Sequence, residues 1–428
     1  MCTRSRSGDE EALTARVLSR ARLLDRPGLV DITIADGRIA AIDPAAESAA
    51  GALRTDLAGG IVWPGFVDMH THLDKGHIWP RAENPDGSFA GALAAVAADR
   101  AARWTAADIA PRFEFGLRCA YAHGTVAIRT HIDSGAPQHR ITWPVFAEMR
   151  ERWAGRITLQ GVALFAPASL DDSAYAADLA ACVVEHGGTL GGVIYPMDGL
   201  PERIEALVGL AEAHGLGLDV HIDETLDPAA RSLPMLAELA IARRFPRPIV
   251  VGHCCSLTVQ SDGEVDRTLD LMAEARMQVV SLPMCNMYLQ DRAPGCTPRR
   301  RGVTLLHEMA ARGIPVAVAS DNCRDPFHAY GDHDMLEVFR EAVRIGHLDR
   351  PLGDWHRVAT RTPAEIIGVP AGRVEPGVAA DLVICKARSV SELLSRPQSD
   401  RLVLRAGAAI DARTPDYAEL DEVAGRPF

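Results

Sequence analysis

Four short segments of this chain run through apolar residues and end on a side chain able to ligate a cation. They are Val67-Asp68-Met69-His70-Thr71-His72, Leu218-Asp219-Val220-His221-Ile222-Asp223-Glu224, Ile249-Val250-Val251-Gly252-His253 and Val316-Ala317-Val318-Ala319-Ser320-Asp321. His70 and His72 stand two apart, so on a strand they share a face and both imidazoles can reach one ion. Imidazole suits zinc, iron and similar ions. By itself His221 reads as a core histidine bonded to a backbone carbonyl, and Glu224 as a solvated loop charge. Together they read differently, because a carboxylate just past a strand can reach a ligand held over a cation and shuttle protons. His253 ends a third run; its neighbours Cys254 and Cys255 fit small buried hydrophobes better than ligands. Asp321 follows a run free of charge, and a buried carboxylate needs a cation or a set of donors.

These residue types suit hydrolysis. A divalent ion lowers the pKa of a bound water toward ~7, which supplies a hydroxide at neutral pH. Asp321 and His253 are placed to orient that water. Glu224 is placed to pass its proton to a substrate ring nitrogen and then to a leaving amine.

The elements that must position them follow from periodicity. Apolar runs that end in a polar residue read as buried parallel strands, and in a (β/α)₈ barrel the C-terminal strand ends converge on one face. Strands are expected at 125–131, 157–164, 190–195, 217–222, 248–253, 277–282 and 314–320, with an eighth ending at His70. Alanine-rich helical stretches separate them. One runs from Ala90 to Arg103; the next opens on Thr105 and closes on His123-Gly124, the glycine fitting a helix C-terminus. Outside this region the pattern is β. Asp36-Gly37 between two apolar runs signals a hairpin, and Ala380 to Ile384 and Leu402 to Gly407 read as further strands. The expected division is a disordered 1–11, a first β-sandwich part at 12–62, a barrel at 63–367, and a second sandwich part with a C-terminal tail at 368–428.

Composition removes several classes. The chain of 428 residues carries a formal charge of -12 with no basic run, which argues against a nucleic-acid partner. No apolar run approaches the ~20 residues of a membrane span, and Met1 to Glu10 lacks an apolar leader core. Nine cysteines without a pairing framework suggest reduced thiols. The expectation is a cytoplasmic enzyme and a homo-oligomer acting on a small molecule.

His70-Thr71-His72-Leu73-Asp74-Lys75, Val220-His221-Ile222-Asp223-Glu224, Gly252-His253 and Ser320-Asp321, with the lead-in Val62-Trp63-Pro64-Gly65-Phe66-Val67-Asp68, resemble the amidohydrolase superfamily. Within it they are most similar to the branch of bacterial cytosine deaminase, over residues 12 to 410. The resemblance implies an α/β fold: a distorted TIM (β/α)₈ barrel with a small β-sandwich formed by the N- and C-terminal segments. It implies one divalent metal, Zn²⁺ or Fe²⁺, held by His70, His72, His221 and Asp321, with Glu224 as proton shuttle and His253 as a hydrogen-bonding histidine. Many members use two metals bridged by a carboxylated lysine on a middle strand. The only lysines here are Lys75, just past the first strand, and Lys386, in the terminal β-region, which favours one metal.

The same resemblance bears on substrate. Ala166 stands where cytosine deaminases carry a glutamine that reads the pyrimidine amide edge, and Asn322 replaces the family's second acid. Phe327 aligns with an aromatic that covers the substrate ring. Arg324 meets a carbonyl or anionic edge, or pairs with Asp325. His131 is expected behind the ligands, paired with Asp133; His77 and Trp79 line the pocket or lie at the surface. The expected reaction is hydrolytic deamination of cytosine or a 5-substituted cytosine such as 5-methylcytosine. The alternatives are another amino-substituted N-heterocycle (isocytosine, an s-triazine N-alkylamine, creatinine) and an inactive scaffold barrel.

Overall fold

The computed structural model describes residues 15–46 and 53–425, so the disorder expected at 1–11 lies outside the described residues. The chain divides into two compact units, one of residues up to Gly65 with Arg373–Asp411, the other of Phe66–Gly372 with the segment from Ala412.

The first unit begins with strands β1 (Arg16–Ala21), β2 (Val30–Ala35), β3 (Arg38–Pro44), β4 (Leu53–Asp56) and β5 (Ile61–Pro64). Asp36 and Gly37 both take positive φ, 51° and 73°, the two-residue geometry that matches strand twist in a hairpin. Four of these strands form a sheet in the order β3-β2-β1-β4.

The second unit contains β6 (Phe66–Thr71), β7 (Thr125–Asp133), β8 (Thr158–Leu164), β9 (Thr189–Leu190), β10 (Val193–Ile194), β11 (Leu218–Ile222), β12 (Ile249–His253), β13 (Gln278–Ser281) and β14 (Val316–Val318). They pair in parallel in chain order around a nearly closed barrel. A parallel bridge between Thr71 and Asp321 brings the last strand end back to the first. The strand expected at 190–195 is split into β9 and β10 by Gly191-Gly192. A Cβ on Gly191 would stand 2.3 Å from the Ala163 carbonyl oxygen, so only glycine fits between the neighbouring strands. Between β6 and β7 run helices Phe89–Arg103 and Ala106–His123. The Thr105 hydroxyl accepts from the Asp108 N–H at 3.3 Å, and Gly124 ends the helix at φ 103°. Val67, Met69, Val250, Val280 and Ala317 pack together inside the unit with Ile366 and Ile367 of helix Arg361–Ile367.

The remaining strands, β15 (Leu382–Cys385), β16 (Leu402–Arg405) and β17 (Ala408–Ala409), join β5 in a second four-stranded sheet of order β17-β16-β15-β5. Leu18, Ile32 and Ile39 from one sheet and Val62, Leu382 and Leu404 from the other share one core, which makes the small sandwich. Past Ala412 the chain groups with the barrel unit, because Leu420 and Ala424 bury their side chains against Phe115 and Cys119. No helix among the described residues is long and apolar enough to cross a membrane.

Candidate active site

At the C-terminal ends of β6 and β11 and just past β14, three imidazoles and one carboxylate converge. His70, His72, His221 and Asp321 are all buried, and each offers a ligand atom within 4.8 Å of the others. His70 Nε2 lies 3.2 Å from His221 Nε2, and His221 Nε2 lies 3.3 Å from His72 Nε2. Asp321 Oδ1 lies 3.1 Å from His72 Nε2 and 3.6 Å from His70 Nε2. Bond lengths of about 2.0–2.1 Å in a tetrahedral site put ligand atoms about 3.4 Å apart. The four atoms are spaced for that geometry. Burial pushes all three imidazoles well below their ordinary pKa, so each is neutral and keeps a lone pair. No N–H or O–H donor reaches either oxygen of Asp321 among the described residues. Three crowded lone pairs and a buried acid met by no stronger donor than the Cys285 thiol fit a divalent cation, which satisfies all four at once.

The backbone holds this arrangement in place. Asp321 N–H donates to the His70 carbonyl at 2.9 Å, and the Thr71 hydroxyl donates to the Asp321 carbonyl at 2.9 Å. Ser320 donates through its N–H and its hydroxyl to Asp68, at 3.1 and 2.5 Å. Asp223, His253, Cys254 and Asp321 take positive φ of 48°, 68°, 50° and 61°. Such residues turn the chain sharply just where the side chains must point inward.

Beside the ligands, Glu224 Oε1 lies 3.3 Å from His253 Nδ1. Both are joined to Asn286, on helix Pro283–Leu289, whose amide nitrogen is 3.2 Å from Glu224 Oε1 and 2.9 Å from His253 Nδ1. With that amide donating to Nδ1, the proton of neutral His253 sits on Nε2, which has no partner of its own among the described residues. Burial, then the nearby Asp321 carboxylate, pushes the Glu224 carboxyl well above its ordinary value. Asn286→Ala is expected to lower kcat/KM by about 10–100-fold, the usual effect of a group that orients catalytic side chains, with bound metal unchanged. Ammonia release and metal analysis on the same sample check both halves.

A cavity of about 350 Å³ opens over these groups. Phe89, Leu93, Val96, Phe165 and Val193 give it apolar walls, and His72, His221, Glu224 and His253 lie at its polar end. Ala166, Asn322 and Phe327 line it too. Lys75 is buried at the rim of the ligand cluster, its ammonium 2.9 Å from Asp133 Oδ1 and 5.4 Å from the centre of the Phe327 ring. Arg100 holds the other oxygen of Asp133 at 2.8 Å.

Three expectations are corrected. Arg324 does not face this cavity: at φ 50° its side chain turns away and its guanidinium lies 4.3 Å from the centre of the Tyr417 ring. It does not pair with Asp325 either, which accepts from Asn322 Nδ2 at 2.7 Å and from the Phe327 N–H at 2.8 Å. His131 packs 3.9 Å from the His70 ring but faces Asp219 at 3.6 Å, because Lys75 and Arg100 occupy Asp133. His77 lines neither this cavity nor the surface; it is buried against Phe115 and His333. The residues not foreseen are Lys75, Arg100, Asp133 and Asn286. Asn286 follows the apolar run Leu282-Pro283-Met284-Cys285, which carries no signal of a polar role.

Comparison with known proteins points the same way as the geometry. The pattern described as "Amidohydrolase family" matches residues 55–199 and 155–410. The chain is similar to a pterin deaminase of Rhizobium rhizogenes strain K84, at 56% identity over 396 residues, covering 92% of this chain and 91% of the relative. It is similar in structure to the 5-methylcytosine deaminase of Klebsiella pneumoniae crystallised with 5-fluorocytosine. That likeness has a TM-score of 0.81 at 25% identity, covering 94% of this chain and 98% of the other. It is also similar to the N-isopropylammelide isopropylaminohydrolase of Burkholderia multivorans, with a TM-score of 0.76 at 27% identity, covering 93% and 98%.

Proposed function

The chain belongs to the amidohydrolase family, as a hydrolytic deaminase of N-heterocycles, and from that premise we propose that it removes the exocyclic amino group of a pterin. The observation that carries this reading is the 56% identity with a pterin deaminase over 92% of the chain. The pocket supports it. Ala166 puts no amide in the cavity at the place where a cytosine deaminase would read a single pyrimidine ring. The apolar walls instead accommodate a second fused ring within about 350 Å³, inside the ~300–1,000 Å³ range of small-molecule sites. A 5-substituted cytosine is the second reading, favoured by the likeness to the enzyme crystallised with 5-fluorocytosine.

The residues divide the work as follows. A divalent ion at His70, His72, His221 and Asp321 supplies Lewis acidity and an activated water when bound. Glu224 would take a proton from the attacking water and give it to the ring nitrogen beside the amino-bearing carbon. It would then take the remaining proton of the added hydroxyl and give it to the departing amine, so that water and the amino compound become the oxo compound and ammonia. His253 donates from Nε2 to the oxygen that develops charge. Lys75, the one ammonium lining the cavity, bonds a ring carbonyl. Phe327 packs against the ring face.

Ammonia release is to be measured on pterin, 5-methylcytosine and N-isopropylammelide with the metal-loaded enzyme. The highest kcat/KM is expected on pterin. Turnover of 5-methylcytosine with pterin inert would replace the first reading by the second, and isopropylamine release would replace both.

A further inference from the structure

Behind the catalytic ligands lies a second cluster that the reaction does not use. His77, Cys323 and His333 are each no more than 2% exposed, and one ligand atom from each lies within 4.8 Å of the other two. Neither ring nitrogen of His77 has a hydrogen-bond partner among the described residues, nor has His333 Nε2. A buried donor or acceptor left unsatisfied destabilises the fold, so three such atoms in one place need an explanation.

Hydrogen bonding fixes the state of His333. The Thr71 hydroxyl spends its proton on the Asp321 carbonyl at 2.9 Å. Toward His333 Nδ1, 3.5 Å away, it can only accept. Nδ1 therefore carries the ring proton, and Nε2 presents a lone pair to the cluster. Space is kept open beside it. Gly116 faces the ring from helix Ala106–His123, and a Cβ there would stand 3.0 Å from Nε2. His77 also lines a cavity of about 240 Å³ with Pro80, Arg324 and Tyr417.

We propose that His77, Cys323 and His333 bind a second metal ion of the zinc type, distinct from the catalytic one. One sulfur and two imidazole nitrogens form a soft-to-borderline donor set that selects zinc over magnesium or calcium. Cys323 loses its thiol proton to solvent on binding and gives the ion a thiolate. The ion is a fastener. It ties together the loop after β6, which carries His77, the turn just past Asp321, which carries Cys323, and the segment of His333. Two of those three lead directly from catalytic ligands.

Cobalt substitution tests this without reference to turnover. The catalytic donor set contains no sulfur, so a near-ultraviolet thiolate-to-cobalt band reports the second site alone. The zinc-loaded protein is expected to hold roughly two ions per chain, and Cys323→Ser roughly one. The cobalt-loaded protein is expected to show the band, Cys285→Ser to keep it, and Cys323→Ser to lose it. Should Cys323→Ser fail to fold, His77→Gln serves instead, with a lowered zinc content and a shifted band. A single ion per chain with no thiolate band in the unmodified protein, or a band that survives in Cys323→Ser, overturns the proposal.

Discussion

His221→Ala, and separately Asp321→Asn, are expected to strip the catalytic ion and abolish ammonia release together. Each change removes one of four donors whose only shared partner is a cation. His221 Nε2 sits 3.2 and 3.3 Å from the two other imidazole nitrogens, so its loss leaves His70 and His72 without a third neutral donor. Asparagine at 321 keeps the shape but removes the negative charge that offsets the ion. A divalent ion contributes several kcal/mol to such a transition state, and each 1.36 kcal/mol is tenfold, so kcat/KM falls by roughly 10³-fold or more. Metal analysis beside the ammonia assay decides the matter. A variant that lost its ion and kept its rate would end the hydrolytic reading.

Glu224→Gln separates proton transfer from metal binding. The amide is nearly isosteric, keeps a contact open to Asn286 and leaves all four ligands intact. The expected result is unchanged metal content, little change in KM and a kcat lower by about 10²–10⁴-fold. The direction of the acid's shift agrees with the task. Burial and the Asp321 carboxylate hold Glu224 well above the ordinary carboxyl value, so its neutral form persists to higher pH than in a free glutamate. A carboxylate that must take a proton from water before passing it on is a stronger base when its value is raised. Full activity in Glu224→Gln would move the proton transfer to another residue.

The converging ligands were legible because parallel strands write their ends plainly: an apolar run, then one polar residue, repeated at intervals a barrel can use. The period of two marked His70 and His72, and the absence of a middle-strand lysine bore on the number of ions. Other features were illegible for identifiable reasons. Lys75, in the loop after β6, and Asp133, the last residue of β7, gain their place from each other, and nothing local marks such a pair. Asn286 acts from a short apolar helix. Arg324 was misplaced because a positive φ at one residue reverses where a side chain points, and an arginine tolerates that conformation without any local sequence mark. The split between β9 and β10 is a matter of close backbone approach, of which Gly191-Gly192 was the trace.

The left-handed turns at Asp223, His253, Cys254 and Asp321 bear on the life of the protein before it works. Each costs about 1–3 kcal/mol, and until an ion arrives the backbone hydrogen bonds of Asp223, Cys254 and Asp321 offset it only in part. A freshly synthesised chain is then at its most fragile, and loading acts as a maturation step as well as an activation step. In a cell starved of transition metals the enzyme would be depleted by degradation sooner than silenced, so its abundance would track metal supply.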